Sequence, residues 1–211
     1  MTIPYNCRMT NITPTTRVRG RPREFDIDKA LDGAIDVFRE KGYQATSIAD
    51  LRKGMQLASG SIYKAFKDKR AIFIAALERY IFVRKAALSK QLVNANNGLE
   101  KVHATLLFYV DSSSLGEGER GCLIVSCSTD LALFDTELAN KIRAALDRNR
   151  GFLEELIIEG QQDGSISADI DSMVTAELIL CILQGMRVVG KTGRTREQMT
   201  QTAEMARNLL R

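Results

Sequence analysis

The sequence predicts an all-α fold, and three observations support this class. Apolar residues recur at three- and four-residue spacing along most of the chain, which is the period of an amphipathic helix. No segment shows the apolar–polar alternation that is typical of a half-buried strand. The 211 residues include only 3 prolines, the residue that most strongly interrupts helices. A chain of this length holds one large domain or two smaller ones.

No segment for export or membrane insertion is expected. The longest uninterrupted apolar run, Leu178–Leu183, is far shorter than the roughly 20 residues of a membrane span. The N-terminal residues 1–16 are mixed and polar, and they lack the apolar core of a secretory signal. We therefore expect a cytoplasmic protein without a membrane partner.

The reactive side chains disfavour catalysis and metal binding. The 4 cysteines form no C-x-x-C pair, and we interpret them as thiols. Because His103 is the single histidine, most zinc sites and histidine-based catalytic sites lack their side chains. Neither G-x-S-x-G nor H-E-x-x-H occurs, and we expect no nucleotide-binding loop. The sequence predicts a protein that is not an enzyme and needs no cofactor or metal.

Positive charge is concentrated in the N-terminal third. Residues 1–70 hold 14 Lys and Arg against 8 Asp and Glu, whereas the rest of the chain holds 16 against 18. Four arginines alternate with other residues in Arg17–Arg23, where a glycine and a proline exclude a regular helix. We interpret residues 1–18 as a flexible arm leading to Arg19 and Arg21, a cationic segment suited to DNA phosphates or a narrow minor groove. The alternative is a solvated tail that only aids solubility.

Four helices are predicted in the first part of the chain, each from an apolar stripe at helical spacing and a capping residue. Their expected extents are Asp28 to Gly42, about Ile48 to Met55, Ser59 to Phe66, and a long helix from Asp68 to about Gln91. The expected caps are Gly42 at the end of the first helix, Thr46 and Ser47 before the second, Ser59 at the third and Asp68 at the fourth.

The rest of the chain is predicted to be helical as well. A polar loop rich in Ser, Gly and Glu is expected from Asp111 to Arg120. The expected helices are Leu99–Val110, Gly121–Leu133, Thr136–Gln162, Ser172–Val189 and Thr195–Leu210.

The second and third predicted helices have the parts of a DNA-binding helix-turn-helix: two short helices, a tight turn and a preceding scaffold helix. Gly42–Ser47 reads G-Y-x-A-T-S, and Ser61–Lys69 reads S-I-Y-x-x-F-x-D-K. These strings resemble the N-terminal domain of TetR/AcrR family transcriptional regulators. The resemblance implies a helix-turn-helix DNA-binding domain over residues 19–67, joined by a long helix to a ligand-binding and dimerisation domain over residues 68–211.

The resemblance also implies which residues contact double-stranded operator DNA. The start of the third helix would approach base edges in the major groove, the basic arm would enter the minor groove, and the other residues would contact phosphates. The residues implied are Arg19, Arg21, Thr46, Ser47, Ser59, Gly60, Ser61, Tyr63, Lys64 and Lys69.

Several of these residues have a second interpretation. Tyr63 could pack in the small core with Phe38 and Phe66. Thr46 and Ser47 could serve only as helix caps, and the lysines could form an ordinary solvated face.

The turn before the third helix departs from the family pattern. A glycine usually occupies the position with a left-handed backbone, whereas this chain has Gln56 there and Gly54 two residues earlier. Either the turn is reshaped, or Gln56 adopts a positive φ at a cost of about 1 kcal/mol.

For the C-terminal part, the resemblance implies a homodimer and a pocket for a small-molecule inducer. Two half-sites one DNA turn apart require two copies of the recognition helix. We assign the dimer contact to stripes on the last two helices: Met173, Ala176, Leu180, Leu183, Met186, Met199, Ala203, Ala206 and Leu210. Aromatic and small polar side chains suit an apolar ligand, so the pocket candidates are Phe108, Tyr109, Cys122, Phe134 and Gln184. Core packing is the alternative for each candidate.

Cys122 receives a separate hypothesis. Gly121–Val125 reads G-C-L-I-V and resembles a stretch in one branch of the family, some members of which respond to electrophiles or oxidants through cysteine. A helix N-terminus and the nearby Arg120 would lower the Cys122 pKa and make it a sensor. The alternative is an inert, buried thiol.

Three functions follow from these hypotheses. The first is a repressor that a small molecule releases from a palindromic operator, with a Cys122 thiol sensor as its variant. The second is a DNA-binding module that responds to no ligand. The third, an enzyme with Cys122 as nucleophile and His103 as base, is disfavoured because no third orienting group is evident.

Overall fold

The computed structural model describes residues 25–129 and 134–211, and these residues form helices and connecting turns without any strand. The predicted all-α class is confirmed. A 3₁₀ turn, Gly190–Thr192, joins the last two helices. The helices in chain order are α1 (Ile27–Ala45), α2 (Ile48–Gly54), α3 (Ser59–Ala65), α4 (Lys69–Leu92), α5 (Gly98–Ser113), α6 (Leu115–Glu119), α7 (Leu123–Thr129), α8 (Thr136–Asp163), α9 (Ser172–Val189) and α10 (Arg196–Asn208).

The ends of the first helices differ from the prediction. Gly42 does not end α1; the backbone bends there, at φ 75°, and helical structure continues for three more residues. Ser47 alone caps α2, in a reciprocal pair of hydrogen bonds with Asp50. The N-cap of α3 is Ala58 rather than Ser59, and no side chain caps that helix.

The predicted polar loop from Asp111 to Arg120 is largely helical, since α5 extends into it and α6 lies within it. The hydroxyls of Ser112 and Ser114 donate to carbonyls four residues earlier; Ser112 lies within α5, and Ser114 is the extended residue between α5 and α6. The helix expected from Gly121 is α7, which starts at Leu123, and the last residues of that prediction lie outside the described part of the chain.

Two segments match the sequence motifs of nucleotide-binding loops, contrary to the expectation that the chain contains none. Gly185–Thr192 fits G-x-x-x-x-G-K-T, and Gly116–Gly121 fits G-x-G-x-x-G. Such loops need a strand before them and a helix after them. Here the first segment is the last turn of α9 with the 3₁₀ turn, and the second is α6 with the turn after it, so neither has the conformation of a phosphate-binding loop.

A first core joins α1, α2, α3, the first half of α4, α7 and the first part of α8. Its fully buried side chains include Phe38, Ile62 and Phe73, and the rings of Phe38 and Phe73 meet edge to face at 4.9 Å. α1 and α2 cross closely, because a Cβ on Gly33 would lie 2.1 Å from the Gly54 carbonyl oxygen. This core fixes the position of α3, which has only seven residues and little stability of its own.

A second core joins α5, α8, α9 and α10, and it corrects the predicted dimer contact. Every residue of the predicted stripes except Met173 is buried inside this core of a single chain. The sequence pattern identified the apolar stripe correctly, but that stripe faces the protein's own helices. The exposed apolar side chains of α9 lie on its opposite face: Met173, Val174, Leu178, Val188 and Val189.

Ion pairs tie α4 to its neighbours along its length. Near its start, Arg70 lies 2.7 Å from Asp135 and 2.7 Å from Glu137 at the beginning of α8. Near its centre, Arg79 lies 2.6 Å from Asp32 of α1. These pairs are partly exposed on the surface of the protein.

Ser172–Thr192, which contains α9, is long and apolar enough to cross a membrane by length and composition alone. The prediction from uninterrupted apolar runs missed this segment because single polar residues divide it. α9 packs against α5 and α8 in the second core, and Arg187 on α9 is only 1% exposed inside the protein. A buried core helix of this kind passes the same composition test, so the segment is weak evidence for a membrane.

Candidate functional site

α3 has a polar face that is exposed and an apolar side that is buried. Ile62 is fully buried against the first core, whereas Ser59, Gly60 and Lys64 are exposed. Tyr63 is 57% exposed, so the alternative that placed it in the core is wrong. The outer side of α3 is available to a large partner.

Gln56 adopts the left-handed conformation that the turn requires. Its φ is 54°, and the following residue, Leu57, donates its N–H to the Arg52 carbonyl oxygen at 3.2 Å. The second of the two expectations for this turn is confirmed. The turn therefore keeps the geometry of the family pattern. A residue with a side chain in the left-handed conformation destabilises the fold by about 1 kcal/mol.

Thr46 and Ser47 have different roles. The Thr46 side chain is buried, and its hydroxyl donates to the Gly42 carbonyl oxygen at 2.6 Å. This hydrogen bond closes the bend in α1, so the Thr46 hydroxyl is used within the protein. Ser47 is exposed at the start of α2.

Lys69 also has a structural role that the sequence did not reveal. Its ammonium group donates to the carbonyl oxygens of Tyr43 and Thr46, each at 3.0 Å, and lies 4.6 Å from the centre of the Tyr43 ring. These carbonyls end α1, where a cation is favoured. The ammonium group is thus already occupied in this structure, which corrects its assignment to phosphate.

Other cations near α3 are exposed. Arg52 and Lys53 lie in the last turn of α2, and neither forms an ion pair with any residue in the described part of the chain. The sequence analysis did not single them out, although two basic residues ending the first helix of the motif were a visible signal. Arg19 and Arg21 lie outside the described residues.

A cavity of about 430 Å³ lies between α4, α5, α8 and α9. Four of the five predicted pocket residues line it: Phe108, Tyr109, Cys122 and Gln184. Phe134 does not line this cavity. Its ring lies 5.3 Å from that of Tyr43 and 6.0 Å from that of Phe73, in the first core, which corrects its assignment. The volume is within the range of small-molecule sites.

Cys122 is a buried, free thiol at the cavity wall. Tyr80 donates its hydroxyl to the sulfur at 3.5 Å. Burial by itself would raise the pKa of Cys122, but Arg187, the Tyr80 hydrogen bond and Arg84 together hold that pKa below its ordinary value. Arg120, the cation that the sequence suggested, is exposed and is not among these causes.

The residue before Cys122 connects three parts of the protein. The Gly121 carbonyl oxygen accepts hydrogen bonds from Arg39 of α1, from Nε at 3.0 Å and from Nη2 at 2.7 Å. It also accepts from Nη2 of Arg187 of α9 at 2.6 Å. The Arg39 guanidinium forms an ion pair with Glu117 of α6 at 2.7 Å. Gly121 has φ 75°, a backbone conformation that favours glycine.

The residues proposed for catalysis are not brought together. Nε2 of His103 lies 2.7 Å from a carboxylate oxygen of Glu204 on α10, and His103 is absent from the lining of the cavity that holds Cys122. Within the described residues, no group of three or more His, Cys, Asp or Glu side chains is arranged to hold a metal ion.

Family models match most of the chain. Residues 30–76 match the model described as "Bacterial regulatory proteins, tetR family", and residues 98–206 match "Tetracyclin repressor-like, C-terminal domain". The chain is 30% identical over 186 residues to the HTH-type transcriptional repressor ComR of Escherichia coli K12, covering 88% of this chain and 89% of ComR. It is 25% identical over 175 residues to the repressor DhaR of Mycobacterium sp. GP1, covering 81% of this chain and 85% of DhaR.

Solved structures share the whole architecture. A cysteine mutant of the TetR family regulator CifR, complexed with 26-base-pair operator DNA, superposes with a TM-score of 0.73 at 33% identity, covering 89% of this chain and 98% of CifR. The reduced form of E. coli NemR has a TM-score of 0.74 at 18% identity over 87% of this chain and 96% of NemR, which shows a common fold. The helix-turn-helix with an exposed α3, the C-terminal helical part and these matches lead to one conclusion: the chain belongs to the TetR family of DNA-binding transcriptional regulators, which are not enzymes.

Proposed function

We propose that the protein is a cytoplasmic, homodimeric repressor that a small molecule releases from a palindromic operator by binding in the cavity beside Cys122. The observation that carries this proposal is the Gly121 carbonyl. It joins the wall of the cavity to α1, and α1 holds the helix-turn-helix. The names of ComR and DhaR support repression rather than activation.

DNA binding is assigned to the outer face of α3 and its surroundings. Small residues at the start of α3 allow the backbone to approach base edges, and Tyr63 and Lys64 lie where phosphates would flank the groove. Thr46 and Lys69 leave the contact set because their polar groups are used within the protein. The proposed contact residues are Arg19, Arg21, Ser47, Ser59, Gly60, Ser61, Tyr63 and Lys64.

Dimerisation is assigned to the exposed face of α9. Val174, Leu178, Cys181, Gly185 and Val188 follow one another at alternating spacings of four and three residues, which is the seam of two helices packed at a small angle. All five residues are exposed in a single chain. A continuous apolar face of this kind is costly in water, and an isologous contact with a second copy would cover it.

The proposed release mechanism uses the bonds at Gly121. A ligand or a chemical change at Cys122 displaces the adjacent Gly121 carbonyl and weakens the hydrogen bonds that Arg39 donates to it. α1 then turns relative to α9, and the two recognition helices of the dimer no longer match the groove spacing. A ligand shifts this equilibrium by the difference between its affinities for the two arrangements.

The environment of Cys122 favours a second candidate function, a thiol-based sensor of electrophiles or oxidants. The thiolate, not the thiol, is the reactive form, and the cations around Cys122 stabilise the thiolate. Arg187 is buried and has no carboxylate partner among the described side chains, so the Cys122 thiolate is its natural counter-charge.

Replacing Tyr63 and Lys64 together by alanine should lower operator affinity by at least about tenfold, because two phosphate contacts are lost. The operator is first obtained by sequencing genomic fragments that bind the purified protein. Affinity is then measured by fluorescence anisotropy at several salt concentrations. Phe82→Ala with Lys90→Ala, a matched exposed pair on α4, should bind like the wild type. Equal affinities for the two double variants would contradict the assignment of α3.

Leu178→Glu should convert the dimer to a monomer, because the two-fold axis brings two buried carboxylates together. Sedimentation velocity at micromolar concentration measures the change, and operator affinity should fall with it. Val93→Glu, an equally apolar and exposed position at the end of α4, serves as control and should remain dimeric. A dimeric Leu178→Glu protein would move the interface elsewhere.

Arg39→Gln should uncouple the cavity from DNA binding, because only Arg39 links α1 to the Gly121 carbonyl. Alkylation of Cys122 with N-ethylmaleimide should lower operator affinity several-fold in the wild type and have little effect in the variant. Mass spectrometry verifies equal modification, and circular dichroism verifies folding. Glu117→Gln removes the ion pair but keeps the bonds to Gly121, so this control should respond like the wild type. An unchanged response of Arg39→Gln would refute this route.

Arg187→Gln should raise the Cys122 pKa toward its ordinary value, since the cation that lowers this pKa most is removed. The pH profile of Cys122 alkylation, resolved by peptide mass spectrometry, should therefore move to higher pH. For each pH unit by which the profile moves, the alkylation rate at neutral pH should fall about tenfold. Arg120→Gln is the matched control and should leave the profile in place. If the two variants gave the same profile, Arg187 would not stabilise the thiolate.

A further inference from the structure

We propose that the cavity selects an organic anion, with an apolar or aromatic body and one carboxylate or similar group, and that Arg84 and Gln184 bind the anionic group. This inference rests on the proposed function of the cavity as the inducer site. It adds a chemical class for the inducer, which the fold alone does not provide.

Arg84 is a cation on the cavity wall without an acidic partner. Its guanidinium lies 4.4 Å from the centre of the Phe108 ring and 5.6 Å from that of Tyr109, and it donates one hydrogen bond to the Ser112 hydroxyl at 3.0 Å. No carboxylate within the described ranges forms an ion pair with it. The aromatic rings orient the guanidinium and leave most of its N–H groups without a charged acceptor.

The neighbouring polar groups are hydrogen-bond donors. Gln184 interacts with the Tyr109 hydroxyl, which acts to lower the Tyr109 pKa, but the buried side-chain nitrogen of Gln184 has no acceptor at full hydrogen-bond geometry among the described residues. Burial raises the pKa of Tyr109, so its hydroxyl stays protonated at neutral pH and can also donate. A buried donor without an acceptor is costly, which indicates that an acceptor from outside completes the site.

The charges that line the cavity are unbalanced in the same direction. Arg84, Lys85 and Arg148 line it against a single carboxylate, Glu155. A cavity with low-dielectric walls concentrates such a positive potential and attracts anions. The Cys122 thiolate can neutralise at most one of these cations.

The remaining wall is apolar and sets the body of the ligand. Ile81, Leu88, Phe108, Ile124 and Phe152 supply apolar lining, with the Phe108 ring against the Arg84 guanidinium. About 430 Å³ is sufficient for a molecule with two aromatic rings or an acyl chain of similar size. The arrangement of one anion-binding end and one apolar body favours an aromatic or fatty carboxylate over a sugar, a nucleotide or a cation.

The test compares two fluorescent probes that share one aromatic body. Anilinonaphthalene sulfonate carries an anionic group, and phenylnaphthylamine is its neutral counterpart. The wild-type dimer should bind the sulfonate at least about tenfold more tightly, because charge-assisted hydrogen bonds to Arg84 are available only to the anion. Fluorescence titration at two salt concentrations measures both affinities.

Arg84→Gln should lower the affinity for anilinonaphthalene sulfonate at least about tenfold and leave the affinity for phenylnaphthylamine unchanged. The preference for the anionic probe would then be lost. Arg84→Lys keeps the charge and should retain part of the preference, and Lys90→Gln, an exposed residue on the same helix outside the cavity, should retain all of it. Circular dichroism and the neutral probe together verify that each variant is folded.

Equal affinity for the two probes, no binding of either probe, or a sulfonate affinity insensitive to Arg84→Gln would overturn the inference. The last outcome would place the probe outside the Arg84 site. Operator binding by the unliganded wild-type protein is measured in parallel. If that binding is present while the probes show no preference, the anion inference fails and the repressor proposal stands; if it is absent, the repressor proposal fails.

Discussion

The hydrogen bonds that two buried arginines donate to the Gly121 carbonyl oxygen hold the molecule together at its centre. One arginine belongs to α1 and the other to α9, so this oxygen connects the helix-turn-helix part to the second core, in addition to the packing of α7 and the continuous helix α4. A carbonyl oxygen has two lone pairs and can accept from both guanidinium groups at once. Glu117 compensates the charge of Arg39, and Arg187 acts to lower the pKa of the Cys122 thiol.

The cavity lies against this junction, and its position explains how a small ligand can affect a distant surface. The cavity is lined by Tyr80 and Arg84 of α4, Phe108 of α5 and Gln184 of α9. A bound ligand would therefore contact helices of both cores. α4 belongs to the first core at its beginning and borders the cavity in its second half. A change in the cavity therefore acts on α4, which continues into the DNA-binding part as one uninterrupted helix.

The parts of this architecture that depend on nearby residues could be predicted from the sequence. Helical periodicity located the helices, and the strings around Tyr63 located the recognition helix. The left-handed Gln56 was one of the two conformations expected for the tight turn. The parts that depend on pairing between distant residues could not be predicted.

The errors have this common origin. Lys69 looked like a solvent-exposed cation until the fold brought it to the end of α1, and Cys122 lies beside Arg187, 66 residues beyond Gly121, rather than depending on its sequence neighbour Arg120. The apolar stripe of α9 has two candidate faces, and periodicity does not tell which of them meets the protein's own helices.

The ion pairs along α4 make the regulator sensitive to ionic strength in two ways. Arg70 and Arg79 hold α4 against α8 and α1 through partly exposed carboxylates, and dissolved salt weakens pairs of this kind. Salt also weakens the attraction between basic residues and DNA phosphates through the counterions that binding releases. A rise in salt concentration would thus weaken the contacts of α4 with its neighbours and the attraction to DNA phosphates together.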